Sequence, residues 1–384
     1  MTLSHFGGPG TRIPQSLGQE QSEGIWTLDK IDLENTSYDY YNNSSYGDCS
    51  SPCNIYTIQA FEKVFLPIFY ILIFLLGLWG NIMVLVVLLR AKESLPGTDV
   101  FIFNLALADI LLVVTLPFWV TQAVHGWIFQ GFLCKVVGGI FKINFYASIF
   151  FLVCISIDRY LSIVCVIRMY NRRKSSLVLL ASLAVWVLCI LLTVPDFIFL
   201  NTEYHSRQNL TSCSLIFVSH SAKVWKIGLS IFNQVVAFFL PLVAMGFCYI
   251  CVILTLLHSK GFQKHKALKV IFAVVAVFFL CWTPYYLVQF VGILIDLKVL
   301  EEDCERESQL AIAEAITTSL GFLHCCLNPI LYAFVGIKFR NRFLELLQHM
   351  GCVSQEFLKR HSRLLSHRRD STWSESTEAS YTGL

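Results

Sequence analysis

The apolar positions of this chain gather into seven long blocks: Phe65–Leu89, Val100–Val124, Val136–Val164, Leu177–Leu200, Val224–Leu257, Val270–Ile295 and Leu310–Val335. A polar or charged stretch bounds each one. Crossing a bilayer as a helix takes about 20 apolar residues, and every block is longer than that. Seven such blocks in succession exclude a soluble globular protein and predict an all-α membrane protein, a seven-transmembrane helix bundle. After the seventh block, Lys338-Phe-Arg-Asn-Arg-Phe-Leu-Glu-Leu-Leu has the pattern of a short amphipathic eighth helix on the inner leaflet, in contact with membrane lipids. The predicted plan is an acidic, disordered arm over 1–62, the bundle over 63–337, the eighth helix over 338–352 and a polar tail over 353–384.

Composition agrees with this plan. Of the 384 residues, 55% are hydrophobic and only 14% charged, against about 25% charged in soluble domains. A net charge of +3 gives no reason to expect nucleic acid as a partner. Where the cations sit is more informative. Arg90 and Lys92 follow the first block, Arg168, Arg172, Arg173 and Lys174 the third, Lys260, Lys264 and Lys266 the fifth, and Lys338, Arg340 and Arg342 the seventh. The alternate loops are poor in Lys and Arg, and one reads Glu301-Glu302-Asp303. The positive-inside rule then puts the N-terminus outside and the C-terminus in the cytosol of a plasma-membrane protein. Asn-X-Ser/Thr sequons at Asn35, Asn42, Asn43 and Asn209 all fall on the predicted outer side. The first 60 residues hold no apolar stretch of signal-peptide length, so the first block is expected to act as a signal anchor.

Four cysteines are placed for oxidative pairing outside the cell. Cys134 tops the third block and Cys213 lies in the loop after the fourth; that pair would pin the loop over the bundle mouth. Cys53 precedes the first block and Cys304 the seventh, and a bridge between them would close the outer rim; Cys49 competes with Cys53 for it.

Polar groups at membrane depth need a reason to be there. Asp109 lies mid-block, and Asn81, Asn144, Ser148 and Asn328 lie at comparable depth in other blocks, so together they form a candidate polar pocket for a cation or water. Unrelated helix–helix hydrogen bonds are the alternative. Prolines at Pro117, Pro195, Pro241, Pro284 and Pro329 interrupt five blocks, each removing a backbone hydrogen bond and favouring a kink. Near the outer third gather Tyr70, Trp119, Phe141, Lys142, Asp196, Trp282, Tyr285, Tyr286 and Glu314. Lys142 sits eight residues below Cys134, about 12 Å along a helix. A cation that deep needs an anion, and Asp196 and Glu314 are the candidates. This cluster is the expected floor of a ligand cavity.

The chain resembles the rhodopsin-like receptors over roughly residues 60–350. The matching landmarks are Gly80-Asn81, Leu105-Ala-Leu-Ala-Asp109, Asp158-Arg159-Tyr160, Trp186, Pro241, Cys281-Trp-Thr-Pro284 and Asn328-Pro329-Ile-Leu-Tyr332. Within that group it is similar to the chemokine receptors, through Thr115-Leu-Pro-Phe-Trp119, Lys142-Ile-Asn-Phe-Tyr146 and His324-Cys-Cys-Leu-Asn-Pro329. Asp196-Phe-Ile-Phe-Leu200 and the tail Arg369-Asp-Ser-Thr-Trp-Ser-Glu-Ser-Thr-Glu-Ala-Ser-Tyr381 are similar to the CXC receptors that answer interferon-induced chemokines. Ser162, Cys165 and Val166 depart from the family pattern after Asp-Arg-Tyr, and Thr318 stands where many members carry Glu.

The resemblance implies a receptor that passes binding of a basic CXC chemokine to a heterotrimeric G protein, of the inhibitory type, and drives leukocyte migration. Asp158, Arg159, Tyr160, Asn328, Pro329 and Tyr332 would be the switch, and Asp109, Asn144, Ser148 and Asn328 an allosteric Na⁺ pocket; no other cofactor is implied. The acidic arm carries Tyr38, Tyr40 and Tyr41 beside Asp39, and tyrosines beside carboxylates are candidates for sulfation and chemokine docking. Cys352 is a candidate for palmitoylation. Ser371, Thr372, Ser374, Ser376, Thr377, Ser380 and Thr382 are candidates for receptor kinases, whose phosphates would recruit arrestin. A chemokine scavenger and a receptor for another peptide or small ligand are the alternatives. No HExxH and no catalytic pair point to an enzyme, and homo- or hetero-oligomerisation is left open.

Overall fold

In the computed structural model, the described residues are 56–90, 97–165, 175–206, 209–217, 221–258, 265–301, 303–335 and 337–349, with 351, 354 and 356 beyond. Seven stretches are long and apolar enough to cross a membrane: Ile58–Leu89, Gly97–His125, Gln130–Ile163, Ser176–Phe199, Ala222–Leu257, Phe272–Asp296 and Cys304–Tyr332. The first span is α1 (Tyr56–Leu89), which begins nine residues before the apolar block and carries Glu62 and Lys63 within the helix. Spans three, four and six are single helices: α4 (Gln130–Ile163), α5 (Ser175–Phe199) and α8 (His265–Asp296). After the seventh span, α11 (Ile337–His349) follows as the amphipathic helix.

Spans two, five and seven are interrupted. The second is split into α2 (Gly97–Val113) and α3 (Leu116–His125), with Pro117 in the first turn of α3. A proline there gives up only an N–H that has no helical partner anyway, and the Thr115 hydroxyl donates to the Leu112 carbonyl at 2.7 Å. The fifth runs through α6 (Ala222–Gln234), a π turn (Val235–Phe239) and α7 (Leu240–His258). Pro241, at the second position of α7, cannot donate and crowds the carbonyl four residues back; the wider π turn just before it relieves that crowding. The seventh is divided at Leu323 into α9 (Cys304–Phe322) and α10 (His324–Val335). Pro195, Pro284 and Pro329 lie inside continuous helices, as does Pro67 of the first block, which the sequence reading passed over.

One element escapes the helical pattern. The fourth block ends in an antiparallel hairpin of β1 (Leu200–His205) and β2 (Leu210–Leu215), with Leu200 paired to Leu215 and Thr202 to Cys213.

In lipid the hydrophobic effect does not drive helices together; close packing and interhelical hydrogen bonds do. Leu179, Leu180, Leu183, Leu191 and Ile198 of α5 face outward. Inward, the Trp186 indole donates to Asn104 Oδ1 at 3.0 Å, joining the fourth span to the second. The Asn81 amide donates to the Cys325 carbonyl at 2.8 Å, joining the first to the seventh. A Cβ on Gly80 would lie 2.9 Å from the Pro329 ring, so only glycine lets α1 and α10 approach this closely.

Candidate functional site

At the hairpin end of the bundle, a cavity of about 680 Å³, counted to its open mouth, lies among the spans. Its walls include Trp119 of α3, Phe141 and Lys142 of α4, Asp196 of α5, and Trp282 and Tyr285 of α8. Lys142 Nζ lies 3.5 Å from Asp196 Oδ1, and the two side chains are only 19% and 16% exposed. The ammonium also sits 5.6 Å from the Phe145 ring centroid and 5.5 Å from that of Tyr146, one helical turn along the same face. Between the two anions left open by the sequence, the geometry selects Asp196. Glu314 is buried elsewhere and accepts from Gln289 Nε2 at 2.6 Å.

The hairpin roofs this cavity. Cys134 and Cys213 are joined by a disulfide, and the buried Cys213 N–H donates to Gln122 Oε1 at 2.9 Å. The Trp127 N–H donates to the Thr211 carbonyl at 2.6 Å. Gly138 faces Leu200, and a Cβ there would meet the leucine side chain at 2.3 Å. The roof is thus held by a covalent bond, by backbone bonds and by a missing side chain.

Trp282 forms the cavity floor. It is 1% exposed, packs edge-on against Phe145 at 4.8 Å between centroids, and fills the space left by Gly321, where a Cβ would come within 2.8 Å of its ring. On its far side lies His324, at 5.8 Å between centroids. His324 Nδ1 is 2.6 Å from the Gly321 carbonyl and 3.3 Å from Trp282 Nε1. A carbonyl only accepts, so Nδ1 carries the proton and the longer indole approach is a contact between two donors, not a hydrogen bond.

Deeper still is Asp109, fully buried. It accepts from Ser148 Oγ at 3.2 Å and Asn328 Nδ2 at 2.9 Å, and His324 Nε2 lies 3.5 Å from its Oδ1. The Asn144 amide donates to the Ile140 carbonyl at 2.6 Å. The Oδ1 atoms of Asn81, Asn144 and Asn328 are buried without a hydrogen-bond partner.

At the opposite end, Thr98 of α2 bridges two residues of α4. Its hydroxyl donates to Asp158 Oδ2 at 2.5 Å and accepts from the Arg159 guanidinium. Arg159 Nε is 3.9 Å from Asp158 Oδ2, an ion pair too long to be a hydrogen bond. Tyr160 packs on Phe247 of α7 at 5.8 Å between centroids. Arg342 of α11 lies 3.7 Å from Asp99 of α2, and Tyr332 packs on Phe339 at 6.1 Å.

The sequence-predicted residues therefore fall at three levels. Trp119, Phe141, Lys142, Asp196, Trp282 and Tyr285 come together in the cavity. Tyr70 lies outside its lining, edge-on to Phe322 at 5.6 Å. Asp109, Ser148 and Asn328 meet directly, as do Asp158 and Arg159, while Pro329 packs on Gly80. Asn209 sits at the hairpin turn and accepts from the Tyr204 hydroxyl at 2.6 Å. Cys304 is disulfide-bonded. Tyr38, Tyr40, Tyr41, Cys53, Asn35, Asn42, Asn43, Cys352 and the seven tail serines and threonines lie outside the described residues. Sequence reading did not single out Gln122, Asn233 or Thr98, and it took His324, which lies beneath the cavity floor, only as part of a family motif. Of these, only His324 carries a signal, as a histidine at membrane depth.

The chain matches the family described as 7 transmembrane receptor (rhodopsin family) over residues 80–332. It is 47% identical to the C-X-C chemokine receptor type 3 of Capra hircus over 354 residues, which is 92% of this chain and 95% of that protein. The Homo sapiens receptor of the same type is 47% identical over 355 residues, with the same coverage. The C-X-C chemokine receptor type 1 of Pan troglodytes is 44% identical over 311 residues, 81% of this chain and 88% of that one. With seven spans, a roofed cavity at one end and a Thr98–Asp158–Arg159 network at the other, the chain belongs to the rhodopsin family of seven-transmembrane receptors and, within it, to the C-X-C chemokine receptors.

Proposed function

We propose that this chain sits in the plasma membrane with its N-terminus outside, binds basic CXC chemokines of the interferon-induced type, and activates an inhibitory-type G protein. The observation that carries this reading is the alignment of cavity, Trp282, His324 and Asp109 in one column above a closed Thr98–Asp158–Arg159 network. The names of the relatives support the ligand class, and the cationic loops support the orientation.

The acidic arm with Tyr38, Tyr40 and Tyr41 captures the basic body of the chemokine, and its flexible end enters the cavity. There the Lys142–Asp196 pair offers both charges among aromatic walls. Only a ligand that prefers one packing of the bundle shifts the balance between packings. Contact on Tyr285 and Trp282 moves the floor, α8 swings about Pro284, and Arg159 exchanges Thr98 and Asp158 for the G protein. The unpartnered amide oxygens around Asp109 suit a small cation, and Asp109, Asn144, Ser148 and Asn328 would hold Na⁺. Its charge would favour the resting packing. After activation, receptor kinases phosphorylate the Ser371–Thr382 cluster, and arrestin binds it.

The test is G-protein dissociation in cells exposed to CXC and CC chemokines, with Arg159→Ala and the triple Tyr38/Tyr40/Tyr41→Phe variant alongside. A response to interferon-induced CXC members is expected, abolished in the first variant and shifted to higher concentration in the second. Internalisation without dissociation would mark a scavenger, and silence across the panel at normal surface expression would mark a different ligand.

A further inference from the structure

The sixth span is tied to its neighbours unevenly about Pro284, which lies inside α8. On the outer side, Gln234 Nε2 donates to the Tyr286 carbonyl at 3.3 Å and Gln289 Nε2 to Glu314 Oε1 at 2.6 Å, joining α8 to the fifth and seventh spans. At the rim, Lys226 Nζ of α6 lies 3.0 Å from each carboxylate oxygen of Asp296, the last residue of α8. Tyr286, Gln289 and Asp296 fall about 3, 8 and 18 Å beyond the proline along a helix. The Lys226 and Asp296 side chains are 23% and 21% exposed, and neither lines the cavity.

On the inner side, among the described side chains from Phe272 to Trp282, no hydrogen bond or ion pair of this kind reaches another span. Phe272 meets Tyr249, Phe279 meets Phe238 and Phe278 meets His324, all as ring contacts. Trp282 adds the contact between two donors described above. Apolar contacts are non-directional and re-form after a shift, whereas hydrogen bonds hold one geometry. Between the two halves, Pro284 cannot donate to the Leu280 carbonyl, which leaves a weak point in the helix.

We propose that Lys226 and Asp296 clamp the outer half of α8 to the fifth span, and that this fixed half is the fulcrum for movement of the inner half. The inference rests on the activating role proposed above. Ligand pressure on Tyr285 and Trp282 falls on the two sides of Pro284. With the outer half held, the inner half yields and the pressure reaches the Arg159 end. With the clamp cut, a third arrangement opens, in which the ligand is bound and the outer half gives way. The ion pair is the same in the resting and active packings, so it does not shift the balance between those two. Its loss drains the ligand-bound active state alone.

The test compares Lys226→Met, Asp296→Asn and the exchanged pair Lys226→Asp/Asp296→Lys, at matched surface expression, for chemokine binding and G-protein dissociation. Each single change is expected to lower release at saturating chemokine about threefold, the scale of a partly exposed ion pair. Agonist-free release should stay at the wild-type level, chemokine affinity should not fall, and the exchanged pair should restore release. Lys226→Cys/Asp296→Cys, joined by a short bifunctional thiol reagent, should release G protein as the wild type does, since the rim stays closed throughout. A silent cross-linked receptor would show that the rim must open and would overturn the proposal. So would a rise in agonist-free release, which marks a lock on the resting packing, or a loss of affinity that the exchange does not mend, which marks a ligand contact. A wild type that releases no G protein would fail the earlier reading and this one together; a responding wild type matched by all its variants would fail this one alone.

Discussion

Lys142 and Asp196 meet where both side chains are largely buried yet still line the cavity, so each limits what the other costs. Replacing Lys142 by Ala leaves the Asp196 carboxylate without its cation. Such a loss is worth about 2 kcal/mol, or roughly thirtyfold. A chemokine titration of G-protein release should shift by about that factor in Lys142→Ala and in Asp196→Ala. The double variant should be no worse than either single change, and additive losses would show that the pair does not act as a unit. The choice of Asp196 over Glu314 was not legible in the sequence, because both fall at the right depth. Only the positions of α5 and α9 relative to α4 separate them. His324 was overlooked for a related reason: its motif was read as a family mark, while its role depends on Gly321, three residues before it and across the Leu323 break.

Among the elements, the helices were legible because length and polarity alone define a span, and the structure moves their ends by only a few residues in most cases. The exception is α1, whose first turns contain Glu62 and Lys63 and so fall below any apolar threshold. The hairpin was not legible, since Leu200 continues the apolar run of the fourth block and nothing local marks a change of period. What makes it a hairpin is long-range: the disulfide to Cys134 and the Gln122 side chain. Gln122→Leu should leave the disulfide intact but strand a buried N–H, at about 1–3 kcal/mol. Chemokine affinity is then expected to fall about tenfold with surface expression kept. Unchanged affinity would mean that the disulfide alone sets the roof.

At the scale of the whole molecule, the cavity and the Asp158–Arg159 end communicate only if the bundle has two packings close in energy. On the proposed function, Thr98 helps to hold the resting one, since it belongs to α2 but its hydroxyl serves two residues of α4. Thr98→Val keeps the shape and removes the hydroxyl. A net loss of about 1 kcal/mol would move the resting-to-active ratio roughly fivefold. Agonist-free G-protein release should rise by about that factor, and an unchanged baseline would show that Thr98 does not restrain Arg159. This restraint could not be read from the chain, because Thr98 and Arg159 are 61 residues apart and the second block does not include Thr98.

The π turn at Val235–Phe239 changes how the fifth span can be counted. Each residue of an α-helix advances about 100° around the axis, so one residue added within a turn rotates everything before it relative to everything after. Asn233 precedes the turn and reaches the cavity, where it accepts from the Tyr146 hydroxyl at 3.2 Å; Tyr249 follows it and faces the opposite end of the bundle. The two halves of the span are therefore in different reading frames. A relative without the extra residue would align with one half only if it is gapped against the other, and an ungapped alignment would match the wrong side chains across the cavity.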